Sequence, residues 1–257
     1  MFSRRVFELM ACGTPIVSTY AKGIENIFDS DAVWLVKSQE EANEALHTLF
    51  TDDNEWRRRS LAGIREVFTR HTYAHRLNDI FEQLSIEKKL KTNPNVTLIA
   101  AINHAQEIEV LDHFINQQTY ENFRVIAIAS SEALLGAKIG NRKLQVLPTR
   151  QIDELMQTNK TEMDFVGLIS TSVYYGPDYL RDLVNASLYE PEADGWAKSI
   201  KHDHFCYDQK TSIAGAIWHS SKAKEIFNLH INSYLSKPNL YVIDSDQFSV
   251  LKETTVN

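Results

Sequence analysis

Only two cysteines, nine glycines and six prolines occur among the 257 residues, and each scarcity excludes something. Cys12 and Cys206 stand far apart, so no disulfide framework is present; lone cysteines of this kind predict a reducing compartment and small buried apolar side chains. Glycine at half the usual share of about 7% rules out a Gly-rich loop system and a collagen-like repeat. Basic residues fall short of acidic ones, 27 against 34, and the formal charge of −7 argues against a nucleic-acid binder, whose surface is normally basic. Long apolar runs are missing as well. Val96–Ile102 and Val125–Ala129 are the longest, well below the ~20 residues of a membrane-spanning helix, so no integral membrane segment is expected. Glu8 interrupts the basic amino terminus before any apolar stretch, which predicts no signal peptide and a cytoplasmic location. Hydrophobic residues are abundant, 43% of the chain with 10% aromatic, enough for one large domain or two small ones.

The run from Ile86 to Asn95 is charged, then turn-forming, and nearly free of apolar residues, so it divides the chain. We read residues 1–88 as one part, 89–95 as a linker and 96–257 as the other. In the first part a helix over Ser3–Cys12 stops at Gly13, which supplies a left-handed cap, with Pro15 preventing continuation. Strands follow at Ile16–Thr19 and Ala32–Val36, then helices over Gln39–Phe50, from the Thr51–Asn54 caps to Phe68, and from Thr72 or Tyr73 to Leu84. The second part alternates: strand Val96–Ile102, helix His104–Gln117, strand Phe123–Ala129, strand Leu144–Leu147, helix Gln151–Gln157, strand Phe165–Ile169, and a helix from Pro177, at its first position, to Ser187. Such alternation predicts an α/β fold with parallel pairing and right-handed crossovers, and ligands at the carboxyl ends of the strands. Asn103, Ser130-Ser131 and Ser170-Thr171-Ser172 fall there.

The run Arg5-Val6-Phe7-Glu8-Leu9-Met10-Ala11-Cys12-Gly13-Thr14-Pro15-Ile16-Val17-Ser18-Thr19, followed by Gly23-Ile24-Glu25 and His71-Thr72-Tyr73-Ala74-His75-Arg76, resembles the C-terminal lobe of GT-B "group 1" glycosyltransferases of the spore-maturation type. The resemblance implies a partial Rossmann-like lobe in which Glu8 holds the ribose of a nucleotide-sugar donor, a UDP-sugar by preference. Gly13 and Thr14 belong to the same motif, and a helix N-terminus there faces the diphosphate. The second part resembles a GT-A glycosyltransferase domain, with a mixed, mainly parallel sheet and flanking helices. That likeness rests on Val96–Asn103, Asn116–Phe123, Phe165–Ile169, Tyr174–Leu183 and Ala193–Lys198. It implies sugar transfer to a hydroxyl of a glycan acceptor, with Asn103, Ser170, Thr171, Ser172 and Lys198 toward the donor and Asp244 or Asp246 as the base.

Two residue-level departures bear on chemistry. Ser170-Thr171-Ser172 stands where the GT-A pattern has aspartates, and Ala129-Ser130-Ser131 replaces the aspartate after the second strand. Neutral hydroxyls bind Mg²⁺ or Mn²⁺ poorly, and a metal-free mechanism would draw on Arg142, Lys143, Lys198 or Lys201. The bland readings stand beside these: a turn or cap for Asp244 and Asp246, dipole complement for Asp178 and Asp182, and a solvent-facing helix residue near Arg4 or Arg5 for Glu8. A half-buried strand competes with zinc ligation for His202, His204 and Cys206. Core packing competes with sugar stacking for Trp218, and Arg57-Arg58-Arg59 reads as a solvated face. The alternatives to an active transferase are a degenerate, non-catalytic module that binds a sugar, a partner transferase or a second copy of itself, and a fragment of a longer transferase.

Overall fold

The computed structural model describes residues 3–136, 140–151, 163–199, 205–208, 215–222, 240–246 and 248–250. Two compact units divide at Thr92 and Asn93.

In the first unit, α1 (Arg5–Ala11) ends in a paired cap: the Gly13 N–H donates to the Met10 carbonyl and the Thr14 N–H to the Leu9 carbonyl, both at 2.9 Å. This hydrogen-bond pair needs a left-handed residue, and Gly13 supplies it at φ +70°. The chain then enters β1 (Ile16–Thr19), a short helix α2 (Lys22–Glu25) that the sequence reading did not foresee, and β2 (Val33–Val36), parallel to β1. Helices α3 (Gln39–Thr51), α4 (Asp53–Arg70) and α5 (Tyr73–Gln83) follow. Ser38 caps α3, and Asp52 caps α4 by accepting from the Asn54 and Glu55 amides. Val6, Met10, Ile16, Ile24, Phe28 and Val67 form the core. Gly63 permits close packing of α1 on α4, because a Cβ there would lie 3.1 Å from Met10 Cγ.

The arginine run on α4 departs from a solvated face at one position. Arg59 is buried: its guanidinium stacks 3.9 Å from the Trp34 ring centroid, donates to Glu55 at 2.7 Å and to the Ser30 carbonyl at 3.2 Å. Glu55 also pairs with Arg58 at 2.7 Å. The Arg58 hydrogen bond, and then Arg59, outweigh burial and hold the Glu55 carboxyl down at about 2. A depressed carboxyl contributes stability that is complete above its ordinary value of 4.5 and disappears as pH falls toward 2. Glu55→Gln is therefore expected to destabilise at neutral pH and to flatten the loss between pH 4.5 and 2, as read by urea denaturation across that range.

Among the described residues the second unit holds an eight-stranded mixed sheet in the order β5-β4-β3-β6-β10-β8-β11-β9. Its strands are β3 (Val96–Ile102), β4 (Phe123–Ala129), β5 (Leu144–Pro148), β6 (Phe165–Leu168), β8 (Gly195–Ala197), β9 (Cys206–Asp208), β10 (Ala216–His219) and β11 (Leu240–Val242). The run β3 to β6 is parallel. Because β10 is antiparallel to both β6 and β8, and β11 is parallel to β8, six of the eight strands point one way. Outside this sheet β7 (Val173–Tyr175) pairs with β12 (Phe248–Val250). Helix α6 (Gln106–Gln117) lies between β3 and β4, and α7 (Tyr179–Tyr189) between β7 and β8.

Pro177 is not the first residue of α7, which begins after Asp178. The Pro177 carbonyl is turned to accept from the Thr119 amide at 2.9 Å, so it is unavailable to the helix. The cysteines also differ from expectation: Cys12 is exposed just past the end of α1, and Cys206 is partly exposed. Thr149–Gln151 is one 3₁₀ turn, and the remainder of the helix expected over Gln151–Gln157 lies outside the described residues. Among the described residues no helix is long and apolar enough to cross a membrane.

Candidate functional site

Strand direction decides which residues share an edge. The carboxyl ends of β3, β4, β6, β8 and β11 lead into Asn103, Ser130, Ser170–Ser172, Lys198 and Asp244–Asp246. All the site residues expected in the second unit therefore stand along one edge of the sheet. Arg142 and Lys143 do not, because they precede β5 at the opposite edge, where Lys143 Nζ donates to the Glu121 carbonyl at 2.7 Å. Lys201, His202, Asp203 and His204 lie outside the described residues.

At this edge the turn after β6 is hydrogen-bonded within itself and to its neighbours. The Ser170 amide donates to Tyr175 Oη at 2.9 Å, and the Ser172 amide to Ser170 Oγ at 3.2 Å. Thr171 Oγ1 donates to Glu107 Oε1 at 2.9 Å. The other Glu107 oxygen accepts from the Asn103 and His104 amides, at 2.5 and 2.9 Å. Burial works against ionisation of Glu107, yet these two amides and the Thr171 hydroxyl outweigh it, so the carboxyl is held below its usual range. Glu107 thus fills, with its own carboxylate, the amide cradle that opens α6. Its signal in the sequence is an acid early in a helix and four residues after Asn103, a variant of the capping-box spacing.

Lys198 and Asp244 form the buried part of the edge. Lys198 and Asp244 are both 0% exposed, and Asp182 on α7 is 4% exposed. Lys198 Nζ donates to Asp182 Oδ2 at 2.7 Å, to Asp244 Oδ1 at 2.8 Å and to the Asp246 carbonyl at 3.0 Å. Asp244 Oδ1 also accepts from the Asp246 amide at 2.6 Å, while its Oδ2 is buried with no hydrogen-bond partner among the described residues. Burial alone would lower the Lys198 pKa, but the Asp182 and Asp244 carboxylates hold it above its ordinary value. For Asp244, burial and the neighbouring Asp182 raise the pKa beyond what Lys198 offsets. One ammonium between two carboxylates leaves a surplus negative charge, and a raised carboxyl is the response expected of it. Lys198 is enclosed rather than presented to solvent. Asp246 is the exposed member of the group. Asp182, read from sequence as complementing a helix dipole, is part of this buried cluster.

Trp218 is core: it is 0% exposed and packs with Ala197, Ala216 and Leu240. Among the described residues no group of three or more His, Cys, Asp or Glu side chains converges on one point. The neutral hydroxyls of residues 170–172, beside a Glu107 carboxylate already committed to two amides, do not suit Mg²⁺ or Mn²⁺.

In the first unit, Glu8 is exposed on α1 and pairs with Arg4 at 3.0 Å. Gly13 is buried, and its carbonyl accepts from Ser60 Oγ at 2.7 Å. Thr14 is exposed at the cap. No curated protein matches the chain. Residues 1–82 match the model of the family described as "Glycosyl transferase-like", which supports a glycosyltransferase-type domain in the first unit.

Proposed function

We propose that the chain transfers a sugar from a nucleotide-sugar donor, a UDP-sugar, to a hydroxyl of a glycan acceptor in glycan or cell-surface polysaccharide synthesis. The family match over residues 1–82 supports the class. The observation that carries the reading is the gathering of hydroxyl, amide and carboxylate groups along one carboxyl edge of the large sheet. In this reading Asp246 takes the acceptor's hydroxyl proton, the acceptor oxygen bonds to the anomeric carbon, and the bond to the diphosphate breaks. Asp244 and Lys198 act as positioning residues, since the Asp246 amide and carbonyl are both tied to them. The Asn103 side-chain amide and the Ser170 and Ser172 hydroxyls meet the diphosphate as neutral donors, without a metal, while the Thr171 hydroxyl stays on Glu107. Within the first unit, Glu8, Gly13 and Thr14 are assigned to a nucleotide-sugar site of that unit's own, with Glu8 toward the ribose.

A second reading, a non-catalytic module that binds a sugar, a partner transferase or another copy, is favoured by Glu107. Its carboxylate occupies the amides of Asn103 and His104 that a phosphate would otherwise use. Calorimetric titration of UDP and UDP-sugars, with and without Mn²⁺, combined with assay of UDP release, separates the two. The transferase reading expects metal-independent binding, and loss of about 10²-fold or more in turnover for Asp246→Asn with little change in donor affinity. Absence of binding by every common nucleotide sugar would leave the second reading.

A further inference from the structure

Helix α5 carries an apolar stripe that stands exposed. Tyr73, Leu77, Ile80 and Leu84 follow spacings of four, three and four, which at about 100° per residue puts them on one face. No residue of the helix is buried, and Tyr73 and Leu84 are 86% and 65% exposed. The carboxylates of Asp79 and Glu82 fall on the far face. Single exposed apolar residues are ordinary, but four in register on one face mark an interaction surface.

The segment that follows brings positive charge to the same helix. At the end of α5 the Ser85 amide donates to the Glu82 carbonyl at 3.0 Å and the Ile86 amide to the Phe81 carbonyl at 2.8 Å, with Ser85 in the left-handed region at φ +55°. This paired cap reverses the chain. Asn78 then pins the returning segment: its Oδ1 accepts from the Leu90 amide at 2.7 Å, and its Nδ2 donates to the Leu90 carbonyl at 2.9 Å. Lys88, Lys89 and Lys91, all exposed, are thereby held beside α5. A helix with its side chains is about 10–12 Å across, so these cations act within about a Debye length of whatever the stripe meets. Residues 70–91 hold five Lys and Arg against three Asp and Glu, in a chain whose net charge is −7.

We propose that this face binds an anionic lipid surface, with α5 lying in the interface, its stripe toward the acyl chains and the lysines at the head-group phosphates. A compact apolar stripe with basic residues alongside is the pattern of interfacial binding. Tyrosine suits that boundary because its ring is apolar and its hydroxyl can stay wet. A second copy of the chain fits less well, since a two-fold interface would set each positive segment against its equal. None of these residues belongs to the sites assigned above, so the inference stands whether or not the transfer reading does.

The test is sedimentation of the full chain with vesicles of phosphatidylcholine alone and of an equimolar mixture with phosphatidylglycerol. Binding to the mixture is expected to be saturable, about tenfold or more tighter than to phosphatidylcholine alone, and weakened by added salt. Lys88→Gln combined with Lys89→Gln should weaken it by about tenfold or more, since each cation near such a surface counts for about fivefold. Tyr73→Ser, at a position that is 86% exposed, should weaken it by about tenfold without moving the unfolding transition. Lys22→Gln combined with Lys37→Gln takes the same charge from exposed positions elsewhere in the first unit and should leave binding unchanged. No binding to the mixed vesicles, equal binding to both compositions, or equal losses in the two lysine pairs overturns the proposal. A dimer in light scattering that Tyr73→Ser dissociates assigns the stripe to a second copy and likewise overturns it.

Discussion

Lys198→Met is expected to lower the unfolding free energy by about 3–5 kcal/mol, the cost of removing one partner from a buried ion pair. The methionine roughly preserves the volume of the lysine stem, so a cavity contributes little. What remains is electrostatic: the carboxylates of Asp182 and Asp244, now without the ammonium that lies 2.7 and 2.8 Å from them, would face each other in a region closed to water. The pH dependence distinguishes this origin from poor packing. In the variant the Asp244 carboxyl, already raised, is pushed further above its unfolded value, and a raised acid destabilises as pH rises through its folded pKa. Wild type and variant should therefore converge as pH is lowered and the carboxyls take up protons. Urea denaturation at several pH values measures this directly. Adding Asp182→Asn and Asp244→Asn to the lysine variant should restore most of the loss, since each removes an uncompensated charge. A cost below about 1 kcal/mol, the range of exposed pairs, would mean that the cluster is solvated.

The same cluster shows what could and could not be read from the sequence. Strands β1, β3 and β4 begin and end where their apolar runs do, and Gly13 with Pro15 announces the end of α1, because these signals are local. The antiparallel half of the sheet was less legible. Strand β8 is three residues long, too short to carry a period, and its place between β10 and β11 depends on pairing partners far along the chain. Lys198, Asp182 and Asp244 could be singled out one by one as charged residues near strand and helix ends. Their convergence could not, since it arises from α7 packing on β8 and from β11 pairing beside it. Arg59 fails for a related reason: a run of three arginines looks solvated until the Trp34 ring is placed over it. Glu107 was the opposite case, with a local signal present in its spacing to Asn103. The candidate edge was thus legible as a set of strand ends, while the division into exposed Asp246 and buried Asp244 required the fold.

Gly195→Ala is the second large effect expected, and it bears on the same cluster from the packing side. A Cβ at this position would lie 2.3 Å from Trp218 Cδ1, 2.6 Å from its Nε1 and 2.8 Å from the Ile217 carbonyl oxygen. The first two contacts could be relieved only by moving an indole that is fully buried between β8 and its neighbours, and the third is backbone. Overpacking of a filled core costs about 1–3 kcal/mol, and the upper end applies where neither the ring nor the strand can give way. Gly140→Ala, where nothing lies within 4 Å, is the control and should change stability by no more than about 0.5 kcal/mol. Combining Gly195→Ala with Trp218→Leu should cost less than the two changes summed, because the smaller side chain makes room for the added methyl. Since β8 runs directly from Gly195 into Lys198, a strand displaced at its start also shifts the ammonium at its end. Gly195→Ala should accordingly loosen the hold of Lys198 on the Asp246 carbonyl, seen as faster hydrogen exchange at the Asp246 amide, whereas Gly140→Ala leaves that exchange unchanged.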